Sequence, residues 1–245
     1  MGFCFDSLSE EEVVRHIVGE LSAGRGGWLV NPNTDVLRTA VREAECANLV
    51  RSADLVIADG QPLVWASRLQ GTPLPQRVAG SDLIYTLSGE AWRTGVRVLL
   101  VGGNEGVAER AADVMRQRMP GLDIGWHFPP HGFEKDPASL EAVFAAVESA
   151  DPAIVFCGLG FPKQERLMRL LSNRFQASWF IGTGASLGFV AGESKRAPVW
   201  AQKVGLEWMH RLGQEPGRLA KRYLVHDMPF AARMLATASA RRTSA

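Results

Sequence analysis

Cysteine is scarce in this chain: Cys4, Cys46 and Cys157 are the only three in 245 residues. Their odd number and wide spacing exclude a disulfide framework and a cysteine metal motif, and they suit a protein kept reduced. Long apolar runs are missing too. No window reaches the ~18 uncharged apolar residues that a membrane span requires. The N-terminal MGFCFDSLSEEEVV has no basic region followed by an apolar stretch. The expectation is a protein made and held on the cytoplasmic side. A third absence concerns dinucleotides. The first predicted strand, Trp28-Leu29-Val30, runs into Asn31-Pro32-Asn33 and not into Gly-x-Gly-x-x-Gly, while Gly182-Thr183-Gly184 comes too late with the wrong spacing. This excludes the nicotinamide-dependent oxidoreductase that the strand pattern would otherwise invite.

What is present is unevenly distributed. The formal net charge is only +1, yet from Lys195 onward ten lysines and arginines face three acids, a net +7, so the first 194 residues carry −6. Such a tail is expected to meet something anionic: phosphate, nucleic acid or a membrane surface. No long polar linker precedes it, and a chain of this length buries roughly 70–75% of its unfolded surface as one domain. The division expected is a Rossmann-like domain over residues 1–195 and a basic helical appendage over residues 196–245.

The pattern is organised around residues 151–165, DPAIVFCGLGFPKQE. Ala153 to Cys157 carry no charge and read as a strand buried on both faces, which Gly158, Gly160 and Pro162 halt before a helix. Strands of the same kind are predicted at residues 28–30, 54–58, 96–101, 122–126 and 176–181, separated by amphipathic helices. The first helix covers residues 8–21 with Ser9 as N-cap; another is read over residues 35–50. Residues 69–82 read as a loop over a crevice, with Ser81 or Asp82 capping the next helix. The alternation predicts an α/β fold, a Rossmann-like parallel sheet of about six strands flanked by helices, with a C-terminal helical appendage.

All strand ends of a parallel sheet lie on one side. Here they bring Asn31 to Asp35, Asp59-Gly60, Gly102 to Gly106, Gly158 to Glu165 and Gly182 to Gly188 to a common edge, which describes a polar ligand site. Taken singly, each has a plainer reading. Asn33 or Thr34 suits a helix cap, Asp59-Gly60 an ordinary turn, and Gly102-Gly103 a tight turn as well as a phosphate loop. His127 and His131, in the loop after the fourth strand, are ligand candidates of the weakest kind. Within a helix starting near Pro216, Arg218, Lys221 and Arg222 share a face that suits a diphosphate. Pro229 is expected to end that helix, leaving Phe230, Arg233, Met234 and Leu235 for a bilayer surface.

These segments resemble the WecG/TagA/CpsF glycosyltransferases of bacterial surface-polymer synthesis. The resemblance runs through Asn31-Pro32-Asn33-Thr34-Asp35, Ala58-Asp59-Gly60, Pro75-Gln76-Arg77-Val78-Ala79-Gly80, Val101-Gly102-Gly103, His131-Gly132-Phe133, the block from Gly158 to Glu165, and Arg196-Ala197-Pro198. It is most specific in Gly205-Leu206-Glu207-Trp208, Arg211-Leu212, Glu215-Pro216, Arg218-Leu219 and Arg222-Tyr223-Leu224. Members often have Thr where Asn31 stands, and commonly Phe-Asp-Phe where this chain has Leu187-Gly188-Phe189.

The resemblance implies inverting transfer of a sugar from a UDP-sugar to a polyprenyl-diphosphate-linked saccharide at the inner membrane face. N-acetylmannosamine is the expected sugar, with glucose or a uronic acid derivative as alternatives. It also implies that Asp59 is the general base. The absence of any Asp-x-Asp favours a metal-independent reaction with no cofactor beyond the UDP-sugar. Donor contacts are expected from Asn31, Asn33, Gly102, Gly103, Gly158, Gly160, Lys163, Gln164, Glu165, Gly182 and Gly184. Acceptor diphosphate contacts are expected from Arg77, Arg196, Arg211, Arg218, Lys221 and Arg222. Expected partners are the two substrates and the anionic inner-membrane surface, with a second copy of the chain as an open alternative, but not nucleic acid. A non-catalytic, membrane-docking nucleotide adaptor is the rival of another class.

Overall fold

The computed structural model describes residues 2–198, 200–201 and 205–242. Six strands, β1 (Gly27–Val30), β2 (Leu55–Val56), β3 (Val98–Gly102), β4 (Ile124–His127), β5 (Ile154–Gly158) and β6 (Trp179–Gly182), form one all-parallel sheet in the order β2-β1-β6-β5-β3-β4. The central strands alternate strictly. On β5, Ile154 and Phe156 enter the core on one face while Val155 and Cys157 enter the other; on β3, Val98 and Leu100 oppose Leu99 and Val101 in the same way. A strand apolar on both sides is stable only between two helix layers, which is why these runs carry no charge.

Those layers follow from the crossovers. Helices α2 (Thr34–Arg42) and α3 (Ala44–Arg51), with α7 (Pro137–Ala150) and α8 (Lys163–Arg174), cover one face. The other is covered by α1 (Glu10–Ser22), α5 (Gly80–Thr94), α6 (Val107–Arg118) and α9 (Ser186–Val190). Connections stepping toward β2 lie on the first face and those stepping toward β4 on the second, as right-handed crossovers require. Chain leaving β1 and β6, which are neighbours, therefore departs to opposite faces and opens a crevice at the carboxyl edge.

Local chemistry agrees with the pattern at most boundaries. Ser9 caps α1 in a reciprocal capping box with Glu12, and Asp136 caps α7. Three expectations change. The helix predicted over residues 35–50 is two helices, because Glu43 adopts extended backbone and ends α2 as it begins α3. Helix α5 starts at Gly80, so Ser81 and Asp82 lie inside its first turn. A Cβ at Gly80 would stand 2.7 Å from both the Asn31 amide nitrogen and the Gly182 carbonyl, so glycine lets this helix end abut the strand edge.

The third change concerns the tail. After α10 (Glu207–Gln214) and α11 (Pro216–Ala220), residues Lys221–Asp227 form a π-helical turn that leads directly into α12 (Met228–Arg242). Pro229 does not stop the helix. The wider turn, marked by the Met228 N–H bonding back to the Tyr223 carbonyl, carries the chain through a position where an α-helix would lose a bond. Nor do Met234 and Leu235 face outward: α12 lays Met234 and Ala238, with Phe230 and Leu235 beside them, against Leu63, Ala66 and Leu74. Residues Leu63 and Ala66 belong to α4 (Gln61–Gln70). An amphipathic stripe buries itself on the nearest apolar helix, and α4 offers one. No helix among the described residues is long and apolar enough to cross a membrane.

Candidate active site

The crevice holds a cavity of about 450 Å³ lined from β1, β2, β5, β6 and the tail. Asn33 contributes from the end of β1, where its Oδ1 accepts from the N–H groups of Asp35 at 3.0 Å and Val36 at 3.1 Å. It is therefore a cap and a wall residue at once. Gln164 bridges β5 to β6: its Oε1 accepts from the Gly184 N–H at 2.9 Å while its Nε2 donates to Glu165 Oε1 at 3.0 Å. A side chain at Gly182 would run into the Gln164 amide, so glycine is required for that bridge.

Asp59 follows β2, its N–H held by the Pro32 carbonyl at 3.0 Å. Protein encloses the carboxylate except on the cavity side, where 25% of the side chain stays accessible. Burial pushes it up to about 6; Arg77 pulls it down, Glu207 and Asp82 push it further up, and Arg211 opposes them. Arg77 is shared. Its Nη1 lies 2.8 Å from Glu207 but 3.8 Å from Asp59, and its Nη2 is 3.7 Å from Asp82. Glu207, at the start of α10, thus takes most of the neutralising charge that Asp59 would otherwise receive. A carboxylate with a nearly neutral affinity for protons, open to a ligand cavity, has the properties of a general base.

A second charged group closes another side. Arg222 reaches Asp35 at 3.1 Å and Asp227 at 3.4 Å, and Arg38 joins both carboxylates, 3.2 Å from Asp227. Burial raises Asp227 above the usual carboxylate range, and Asp35 adds to this. Aromatic faces complete the wall: Trp208 meets Tyr223 edge-on at 6.1 Å, and the Arg211 guanidinium lies 5.4 Å from the Phe189 ring centre.

Of the expected site residues, the fold gathers Asn31, Asn33, Asp59, Arg77, Gly160, Gln164, Glu165, Gly184, Arg211 and Arg222 onto this cavity. It leaves others elsewhere. Gly102, Gly103 and Gly158 are packed against one another and against Leu159, Val107 and Leu187. Lys163 points to Glu134 at 3.3 Å and lies over the Phe133 ring. Gly182 supports the Gln164 bridge from behind. Arg196 makes a paired contact with Asp82 at 2.5 and 2.8 Å, one residue removed from the cavity. Lys221 is exposed and off the wall, because consecutive residues on a helix point in different directions and it is Arg222 that turns to the cavity. The Arg218 side chain lies outside the described residues. Glu207 and Asp227 are not among the expected site residues, and Asp35 is expected only as part of the strand end from Asn31 to Asp35. The signal for Glu207 was its place beside Trp208 in the most specific shared block; for Asp227 there was none. Among the described residues no group of three His, Cys, Asp or Glu is placed to hold a metal ion.

A parallel sheet covered on both faces, with a polar cavity at its carboxyl edge, is the architecture in which α/β proteins handle small molecules. The chain belongs to the glycosyl transferase WecG/TagA/CpsF family, whose profile matches residues 1–244. An N-acetylglucosaminyldiphosphoundecaprenol N-acetyl-beta-D-mannosaminyltransferase from Bacillus spizizenii is 30% identical over 198 residues, 81% of this chain and 75% of its own. The protein of the same name from Staphylococcus aureus strain MRSA252 is 31% identical over 213 residues, 86% of this chain and 82% of its own. A substrate-binding periplasmic protein from Ralstonia solanacearum covers 76% of this chain and 53% of its own at 20% identity and a TM-score of 0.33, too slight a likeness to bear on fold or activity.

Proposed function

We propose that this glycosyltransferase moves a sugar of the N-acetylmannosamine type from a UDP-sugar to a saccharide linked to a polyprenyl diphosphate, with inversion and without a metal ion. The observation that carries the reading is the meeting of Asp59 with the tail residues Arg211 and Arg222 in one cavity. Asp59 removes the proton of an acceptor hydroxyl as that oxygen attacks the anomeric carbon; the bond from that carbon to the diphosphate breaks on the opposite side. The negative charge that builds on the departing diphosphate is met by Arg77 and the loop of Gly160 and Gln164, while Arg211 and Arg222 hold the acceptor's diphosphate. The choice of sugar and acceptor is supported by the names of the relatives, and metal independence by the lack of an Asp-x-Asp in the sequence.

Membrane contact is part of the same reading, with different residues from those first expected. Leu224 and Val225 on the π-helical turn and Met228 at the start of α12 are half exposed, close in the chain to Lys221 and Arg222. Each basic residue near anionic lipid adds ~1 kcal/mol to such binding. The test is a panel of UDP-sugars, including glucose and uronic acid donors, offered with a short-chain lipid diphosphate acceptor in the presence of a chelator. Turnover with UDP-N-acetylmannosamine alone supports the reading. Turnover only with another sugar corrects the donor, and loss of all turnover on chelation overturns the metal-free mechanism.

A further inference from the structure

A second cavity, of about 680 Å³, lies between the N-terminal segment, α4 and α12, and is larger than the catalytic one. Its floor is Leu37, Leu63, Ala66, Leu74, Met234 and Ala238, all buried. The N-terminal chain makes a further wall. The Asp6 N–H donates to the Val56 carbonyl at 2.9 Å, and Asp6 Oδ2 accepts from the Val56 N–H at 2.8 Å. This pins the segment to β2 and sets Phe3 and Phe5 against the cavity. No charged side chain is among the described residues that line it. A cavity of this size and character suits a hydrocarbon, since a sugar or a nucleotide would leave hydroxyls and phosphates without partners there.

Its position ties it to the acceptor. The same three helices line both cavities through neighbouring residues: Val36 then Leu37 on α2, Pro62 then Leu63 on α4, and Ala231 then Met234 on α12. Residues 231, 234 and 238 recur at helical spacing, so one stripe of α12 passes from the first cavity into the second. Charge changes along the way. Arg222 and Asp227 line the catalytic cavity just before α12, Met228 and Ala231 follow, and Met234, Thr237 and Ala238 line the second cavity beyond them. A polyprenyl diphosphate has the same order, an anionic head and then hydrocarbon. We propose that this cavity takes the first isoprene units of the acceptor's prenyl chain, while Arg211 and Arg222 hold its diphosphate. This deepens the acceptor reading and rests on it.

The test is calorimetric binding to the full chain, without lipid or detergent, of N-acetylglucosaminyl diphosphates esterified with methanol or with prenyl alcohols of one, two and three isoprene units. Burial tightens binding about fourfold for each CH₂ removed from water, so Kd is expected to fall roughly tenfold or more with each unit until the cavity is filled. Thr237→Trp and Gln70→Trp bring a ring into the cavity from exposed positions on α12 and α4. Each is expected to raise the Kd of the three-unit ester about tenfold or more, with the methyl ester and thermal unfolding unchanged. A Kd that ignores chain length, or the parent's slope kept in both variants, overturns the proposal while leaving the acceptor reading intact. Variants that keep the slope but lose binding to phosphatidylglycerol vesicles would assign the cavity to bilayer acyl chains. Variants that change only the oligomeric state would assign it to a second copy, and either result overturns the proposal. Absence of binding by every ester strikes the acceptor reading itself, and this inference with it.

Discussion

Two crevices at the carboxyl edge of the sheet look alike in the sequence and end differently. Between β3 and β5, Gly102 and Gly158 close on each other: the Gly103 N–H donates to the Gly158 carbonyl at 2.8 Å. A Cβ on Gly158 would stand 2.6 Å from Leu187, and one on Gly102 2.9 Å from Leu159. Beside β6, Gly160 and Gly184 have no atom within 4 Å of where a side chain would begin, and both line the cavity. Both regions arise because successive helices leave neighbouring strands to opposite faces. Two leucines fill one, and charged residues from the tail rim the other. A glycine after a buried strand therefore marks a close approach without revealing whether backbone, side chain or ligand makes it.

The contrast can be broken or sharpened in order of expected effect. Asp59→Asn, in the open crevice, is expected to lower kcat by ~10²–10⁴-fold with unchanged thermal unfolding, measured by transfer to the lipid-linked acceptor. Wild-type turnover should rise with pH through about 6, since the base must be ionised and burial has lifted Asp59 to that value. Next comes the tail. Arg222→Ala should raise the acceptor KM roughly 10–100-fold, as expected when a charged hydrogen-bonding group is lost, while Lys221→Ala should change it less than about twofold. Equal losses would return Lys221 to the clasp.

The closed crevice answers to stability instead. Gly158→Ala forces a methyl against Leu187 and should cost ~1–3 kcal/mol, read as a lower Tm with KM preserved. Gly160→Ala meets open space but sits at φ +77°. It should cost about 1 kcal/mol of strain and show mainly in the donor KM. The smallest effect belongs to Glu207→Gln. It removes a charge that raises Asp59 and frees Arg77 to approach it, so the acid limb of the pH–rate profile should move down by roughly one unit. An unmoved limb would mean that Glu207 only anchors α10.

Much of this was legible in the residues. Uncharged runs such as Ile154-Val155-Phe156-Cys157 identify strands buried on both faces, and their spacing by amphipathic helices leads to a parallel sheet. Asp59, Gln164 and Arg222 stood out as polar groups where such strands and the tail should present them. Less legible was anything resting on helical phase or on distant partners. Lys221 and Arg222 read as one basic face from their closeness in sequence, but consecutive helical residues point apart and only Arg222 reaches the cavity. Met234 and Leu235 read as membrane-facing because α4, their packing partner, lies more than 160 residues away in the chain. Glu165 stood in the motif, but its unpartnered oxygen exists only through the burial that β5 and β6 impose.

By itself the sequence determined the alternation of strands and helices, and with it the side of the sheet on which every strand end emerges. Hydrophobic period and handed crossovers are local rules, and they leave few alternatives. The tertiary structure alone decided which of those ends stays open, which acid each arginine faces, and how firmly each carboxyl holds its proton. Those properties depend on desolvation and on charges brought within a few ångströms by segments far apart in the chain, and no local pattern encodes them.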